Sequence, residues 1–202
     1  MQSHYKTITT SAESIYKEKG SKFIGFAYPV NGEGEVKERL EALKKAYHDA
    51  RHHCYAYVLG TDGKQHRAND DGEPNHSAGD PILGQIVSRQ LTNVLVVVVR
   101  YFGGTKLGVS GLIQAYKTAA DEALSGAEIV ERKITIPIQL IYTYQDTNDV
   151  MRLINDFDLK IIRQEFLENC KTEAEIGVTL LPAMKAKVRL LNQLGKQIGI
   201  SD

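Results

Sequence analysis

Residues 93–101 read Asn-Val-Leu-Val-Val-Val-Val-Arg-Tyr, and no other stretch restricts the fold so tightly. Val94 to Val99 are apolar without alternation. An unbroken apolar run, mostly β-branched, suits a strand covered on both faces, so this strand belongs in the middle of a sheet with a layer on each side. The run is far short of the ~20 apolar residues that span a bilayer. Phe102, Gly103 and Gly104 break it, and residues 107–125 follow with helical spacing. Val109, Leu112, Ile113, Tyr116, Ala119, Ala120 and Ala123 form the expected buried stripe of that helix.

The other elements are read around this centre. Strands are expected at residues 5–10, 13–17 and 21–30. The last two meet at a hairpin tip where Gly20 supplies a positive φ and Lys17, Lys19 and Lys22 supply charge. Val36, Leu40, Leu43 and Tyr47 mark one face of a helix over 34–50, and residues 53–60 alternate as a strand. Residues 61–81 are polar and rich in Gly, Asp, Asn and Pro. They are expected to form one loop of about twenty residues, a length that is more often functional than not. A helix over 82–91 should follow, capped by Ser77 or Asp80 with Pro81 at its first position.

A second pattern begins near residue 133. A strand over 133–144 and a helix over 146–157 capped by Asp146 or Thr147 lead it. Strands over 159–166 and 173–181 come next, joined by a turn at 168–172. A helix over 183–194 and a short strand over 197–200 close a β-α-β-β-α-β unit. The expectation is an α+β chain of two domains, 1–133 and 134–202.

Composition narrows the function. The chain has 202 residues, with 25 Lys and Arg against 25 Asp and Glu. Residues 1–133 hold 17 against 16, and residues 134–202 hold 8 against 9. A globally basic nucleic-acid binder is excluded, and any nucleic-acid contact needs a local patch. The N-terminus shows no apolar signal segment. Cys54 and Cys170 lack paired spacing, so both are expected to be free thiols. A soluble cytoplasmic protein without membrane association is expected.

Three segments could carry chemistry. Arg100 to Gly111 joins a buried strand to a helix start through glycines, a setting in which backbone N–H groups meet anions. Arg100 and Lys106 would add charge, and Tyr101 or Phe102 a stacking face. The bland alternative is a tight turn. Asp70, Asp71 and Glu73 could hold a hard cation, but their spacing is not that of a calcium loop, and ordinary polar turn chemistry is the favoured account, so no metal is expected. Arg51-His52-His53-Cys54 offers metal and nucleophile types, but adjacent histidines on a strand point to opposite faces, and a strand cysteine is ordinarily a packing residue.

Residues 70–83 (DDGEPNHSAGDPIL) and 96–116 (VVVVRYFGGTKLGVSGLIQAY) resemble the YigZ/IMPACT family. Residues 51–60 and 20–30 are similar to further family segments, and residues beyond 134 match in length and pattern. The resemblance implies a first domain with the fold of the second domain of ribosomal protein five of the small subunit, as in domain IV of elongation factor G. It implies a ferredoxin-like second domain similar to domain V of that factor. It places the motif on Asp70, Asp71, Gly72, Glu73, Pro74, Ser77, Ala78, Gly79 and Pro81, then on Arg100, Tyr101, Phe102, Gly103, Gly104, Leu107 and Gly108. His76 and Asp80 depart from the family pattern. Eukaryotic members are linked to translational control.

Two functions follow as expectations. One is a translation-linked binding factor that meets RNA, the ribosome or a regulatory protein, needs no cofactor and has no catalytic residue. Its binding residues would be Asp70, Asp71, Gly72, Glu73, Pro74, Arg100, Tyr101, Phe102, Gly103, Gly104, Lys106 and Gly108, with a basic patch of Lys17, Lys19, Lys22, Arg51 and Arg67. The other is a metal-assisted hydrolase or phosphotransferase built from Asp70, Asp71 and Glu73 beside Gly103-Gly104. What separates them is whether the carboxylates converge on one cleft with Arg100.

Overall fold

The computed structural model describes residues 2–167 and 169–202. The chain is α+β and divides into two compact units, His4–Arg132 and Lys133–Asp202, the latter together with Gln2 and Ser3.

The first unit runs β1 (His4–Ile8), β2 (Ala12–Glu18), β3 (Ser21–Pro29), α1 (Glu33–Ala46), β4 (His52–Leu59), β5 (Gln65–Asn69), α2 (Gly79–Ser88), β6 (Val94–Tyr101), α3 (Gly108–Ser125) and β7 (Ile129–Lys133). Five strands form an antiparallel sheet in the order β2-β3-β6-β4-β5, and β1 pairs with β7. β6 is the central strand, and Val94 to Val99 are fully buried. Its two faces feed two cores. Val94, Val96 and Val98 pack with Phe23, Cys54 and Ala56 under α2 and α3. Leu95, Val97 and Val99 pack with Ile24, Phe26 and Tyr57 under Val36 and Leu43 of α1. A strand without alternation is what two covered faces require.

α3 lies unusually close to the sheet at Gly25. A Cβ there would stand 2.5 Å from the Ala119 carbonyl oxygen, and Ser14 Oγ donates to that same oxygen at 2.9 Å.

The second unit runs β8 (Thr135–Thr143), α4 (Thr147–Asp156), β9 (Lys160–Glu165), β10 (Asn169–Gly177), α5 (Leu181–Gln193) and β11 (Ile198–Ser201). Its antiparallel sheet has the order β11-β8-β10-β9. Leu140, Tyr142, Cys170 and Ile176 pack against Val150 and Leu153 of α4 and Met184 and Val188 of α5. No helix among the described residues is long and apolar enough to cross a membrane.

Several local expectations are corrected. The stretch 61–81 is not one loop, because residues 65–69 form edge strand β5. Neither Ser77 nor Asp80 caps α2: Ser77 Oγ donates to Pro74 O at 2.6 Å, Asp80 faces His76, and the helix opens at Gly79 with Pro81 in its first turn. α4 also lacks a side-chain cap, since Thr147 Oγ1 donates back to Tyr144 O and Asp146 is taken by Gln197 and Lys196. β10 starts at Asn169, and the Glu168 end of the expected 168–172 turn lies outside the described residues. Both cysteines are free and buried.

Candidate functional site

The two motif segments meet on the α2–α3 side of the five-stranded sheet. Strand register places Phe23, Arg100 and His52 side by side in one row across β3, β6 and β4. The loop after β5 then reverses over that row. Asp71 and Gly72 both adopt positive φ, 41° and 86°, which turns Glu73 inward. The Glu73 amide donates to Asp70 O at 2.9 Å.

Glu73 is the hub. Its Oε1 accepts from Arg100 Nη1 at 2.5 Å and from Tyr116 Oη at 2.8 Å, all three residues being buried. His52 Nε2 stands 4.0 Å away, and His52 Nδ1 meets Asp71 O at 2.9 Å. Removing one member of such a pair strands the other charge in the interior, which typically costs about 3–5 kcal/mol. The Arg100 guanidinium sits over Phe23 at 5.4 Å and Phe102 at 5.7 Å, and its Nε has no hydrogen-bond partner.

Asp70 and Asp71 serve the loop itself. Asp70 Oδ1 accepts from Ala78 N and Gly79 N at 3.0 and 2.8 Å, and Oδ2 from His76 N at 2.9 Å. Asp70 thus does the capping work at the start of α2 from nine residues upstream. Burial raises its pKa, but the three N–H donors outweigh that and hold the carboxyl below its ordinary value. Asp71 Oδ2 accepts from His53 N at 2.7 Å. The three motif carboxylates therefore do not converge. Among the described residues no group of three or more His, Cys, Asp or Glu is placed to hold a metal ion.

Cys54 is no nucleophile in this setting. Its thiol donates toward Asp70 O at 3.0 Å and lies 3.3 Å from Tyr116 Oη. Burial pushes its pKa well above the usual thiol range, so it stays protonated at neutral pH. Burial raises the Tyr116 phenol in the same way. His52 and His53 face opposite sides of the sheet, the former toward Glu73 and the latter toward α1.

The glycines divide into two roles. Gly103 touches the β2–β3 turn so closely that a Cβ on it would fall 1.8 Å from the Gly20 carbonyl carbon, and its N–H donates to Ser21 Oγ at 3.2 Å. Gly104 and Gly108 take φ of 87° and 73° with open space around them. Gly103 is thus a packing glycine, whereas Gly104 and Gly108 shape an exposed turn.

The candidate cations split. Arg51, Arg100 and Lys106 border one cleft of about 420 Å³ with His52, Glu73, Pro74, Phe102 and the first turn of α3. Lys17 and Lys22 pair with each other across β2 and β3, and Lys22 pairs with Tyr101, on the face that Arg100 leaves. Lys19 is at the tip. Arg67 is on β5 in a groove with α1, paired with Tyr57. Tyr101 also faces away from the cleft. It donates to Asp49 Oδ1 at 2.7 Å, a bond that pushes its own pKa up to about 12 and holds Asp49 low. Phe102 lies at the cleft, 57% exposed, with one ring face toward the Arg100 guanidinium.

Reading the sequence by itself missed His52 and Tyr116 as members of the hub. Strand register brings them there, and no local motif encodes it. Val109 and Ile113, expected in the core, are 53% and 38% exposed, and Val109 lines the cleft.

The model of the Impact N-terminal domain matches residues 19–124, which contain the whole cleft. The chain is 37% identical over 152 residues to the IMPACT family member YvyE of Bacillus subtilis, covering 75% of this chain and 69% of that protein. It belongs to the IMPACT family. Its similarity to the family member YigZ of Escherichia coli is 33% over 150 residues, 73% of this chain and 74% of that one. A crystal structure of a hypothetical protein matches both units, with a TM-score of 0.73 and 26% identity over 98% of this chain and 97% of that chain. The chain therefore comprises an Impact N-terminal domain followed by a C-terminal α/β domain.

Proposed function

We propose that this IMPACT-family chain is a translation-linked binding factor that meets RNA or the ribosome through the Arg51–Lys106 cleft. One observation carries the reading. All three motif carboxylates are spent on partners inside the protein, and the charges left without a partner at the cleft among the described residues, Arg51 and Lys106, are both cationic. Cations of this kind bind phosphates without reading sequence. The proposal extends to the folds: a domain like the second domain of ribosomal protein five of the small subunit spanning 1–133, and a ferredoxin-like domain spanning 134–202. The β11-β8-β10-β9 order supports the latter. Translational control of the kind linked to eukaryotic family members would then rest on this contact. The hydrolase reading is weaker, because no carboxylate pair is aimed at a common point.

Filter binding of ribosomal RNA and of ribosomes at two salt concentrations tests it. Affinity should fall steeply with salt, and Lys106→Ala and Arg51→Ala should each lower the salt slope by about 1. No measurable binding to either would remove the proposal.

A further inference from the structure

The cleft is more specific than a basic patch needs to be. Arg100 lines it while only 6% exposed, has its Nη1 on Glu73, and keeps Nε without a partner. Beside it α3 begins at Gly108 with no side-chain cap and no acid in its first turn. Its free N–H groups and dipole therefore favour an anion.

Charge sets the kind of anion. Arg100 and Glu73 cancel, so Arg51 and Lys106 leave the cleft with two net positive charges. A phosphate monoester carries about −1.5 to −2 near neutral pH and matches that. A bare phosphate would nevertheless leave Phe102 and Val109 exposed, at 57% and 53%. The Phe102 ring already covers the Arg100 cation with one face. A volume of about 420 Å³ falls within the range of sites that enclose small molecules.

We infer that the cleft binds one nucleotide monophosphate, its phosphate between Arg51, Lys106 and the start of α3 and its base against Phe102. The inference rests on the reading of this cleft as the phosphate-facing site. The same chemistry is offered by a free mononucleotide and by the 5′-phosphorylated end of an RNA.

Calorimetry on the full chain decides it, using the four ribonucleoside monophosphates, the matching nucleosides, inorganic phosphate, and RNA tetramers with a 5′-phosphate or a 5′-hydroxyl. At least one monophosphate should bind ten-fold or more tighter than its nucleoside and than inorganic phosphate. Phe102→Ala should weaken it at least five-fold and leave inorganic phosphate unchanged, whereas Lys106→Ala should weaken both. Both side chains are exposed, and an unchanged melting temperature verifies each fold. A preference for the 5′-phosphorylated tetramer over the mononucleotide assigns the site to RNA ends, and the reverse assigns it to free nucleotides. Absence of heat with every monophosphate and phosphorylated tetramer at millimolar concentration overturns the inference, as does binding indifferent to both substitutions. If ribosomal RNA still binds in a salt-dependent manner in that case, the broader proposal stands without this one. If it does not, both fall.

Discussion

Asp70 does more for the fold than a polar turn residue usually does. Asp70→Ala strands three amide donors, two of them at the start of α2. The expected loss is about 2 kcal/mol, read as a lower urea midpoint at constant slope. Its folded pKa lies below its ordinary 3.8, so its contribution is complete above that pH and fades as the pH falls beneath it. Asp70→Asn should flatten that acid limb. His53 acts in a higher window. Burial pushes its imidazole below the ordinary 6.5 against the opposing pull of Asp71, and Nε2 has no partner. The fold therefore prefers the neutral ring: the stability His53 confers is full above pH 6.5 and drains away as the pH falls through the window beneath. Melting temperatures from pH 7 to pH 5 should fall less in His53→Phe than in the parent chain.

At the scale of elements, Gly103 and Gly104 are neighbours with opposite tolerances. Gly103→Ala forces a methyl into the backbone of the β2–β3 turn. The turn and the segment after β6 must separate, and amide exchange should rise at both. Gly104→Ala meets open space and bears only its left-handed strain, about 1–2 kcal/mol. Equal losses in denaturant melts of the two variants would contradict this. The contrast also shows what the chain discloses by itself. Val94 to Val99 declare a central strand because two covered faces abolish alternation, and Leu112, Tyr116 and Ala119 declare the buried side of α3. Edge strand β5 stays hidden, since Gln65-His66-Arg67-Ala68-Asn69 is mostly exposed and pairs on one side only. Val109 and Ile113 mimic core residues because helical spacing says nothing about where the covering layer ends. Asp70, Glu73 and Arg100 stand out as charges among glycines, but their partners His52 and Tyr116 come from distant strand register and helix packing.

Over the whole molecule, two units with separate apolar cores imply separable stability. Leu140 is fully buried in the second core. Leu140→Ala should cost about 2–5 kcal/mol. Hydrogen exchange should place the lost protection within residues 134–202, with amides of β3, β4 and β6 unchanged; loss spread evenly over both units would reject separate cores. The order of the five-stranded sheet has a further bearing, on the birth of the protein. β6 leaves the ribosome after β4, β5 and α2, yet it must lie between β3 and β4. A nascent chain that ends before residue 94 holds two hairpins of this sheet, β2-β3 and β4-β5, with nothing to join them, and β3 and β4 each have an unpaired edge open to a chaperone or to another chain. The cleft is equally late, for its row of Phe23, Arg100 and His52 exists only once that last strand has slid home. Phe102, Lys106 and the first turn of α3 follow that strand, so the cleft closes only after the sheet is complete, and a half-made copy has no cleft at all.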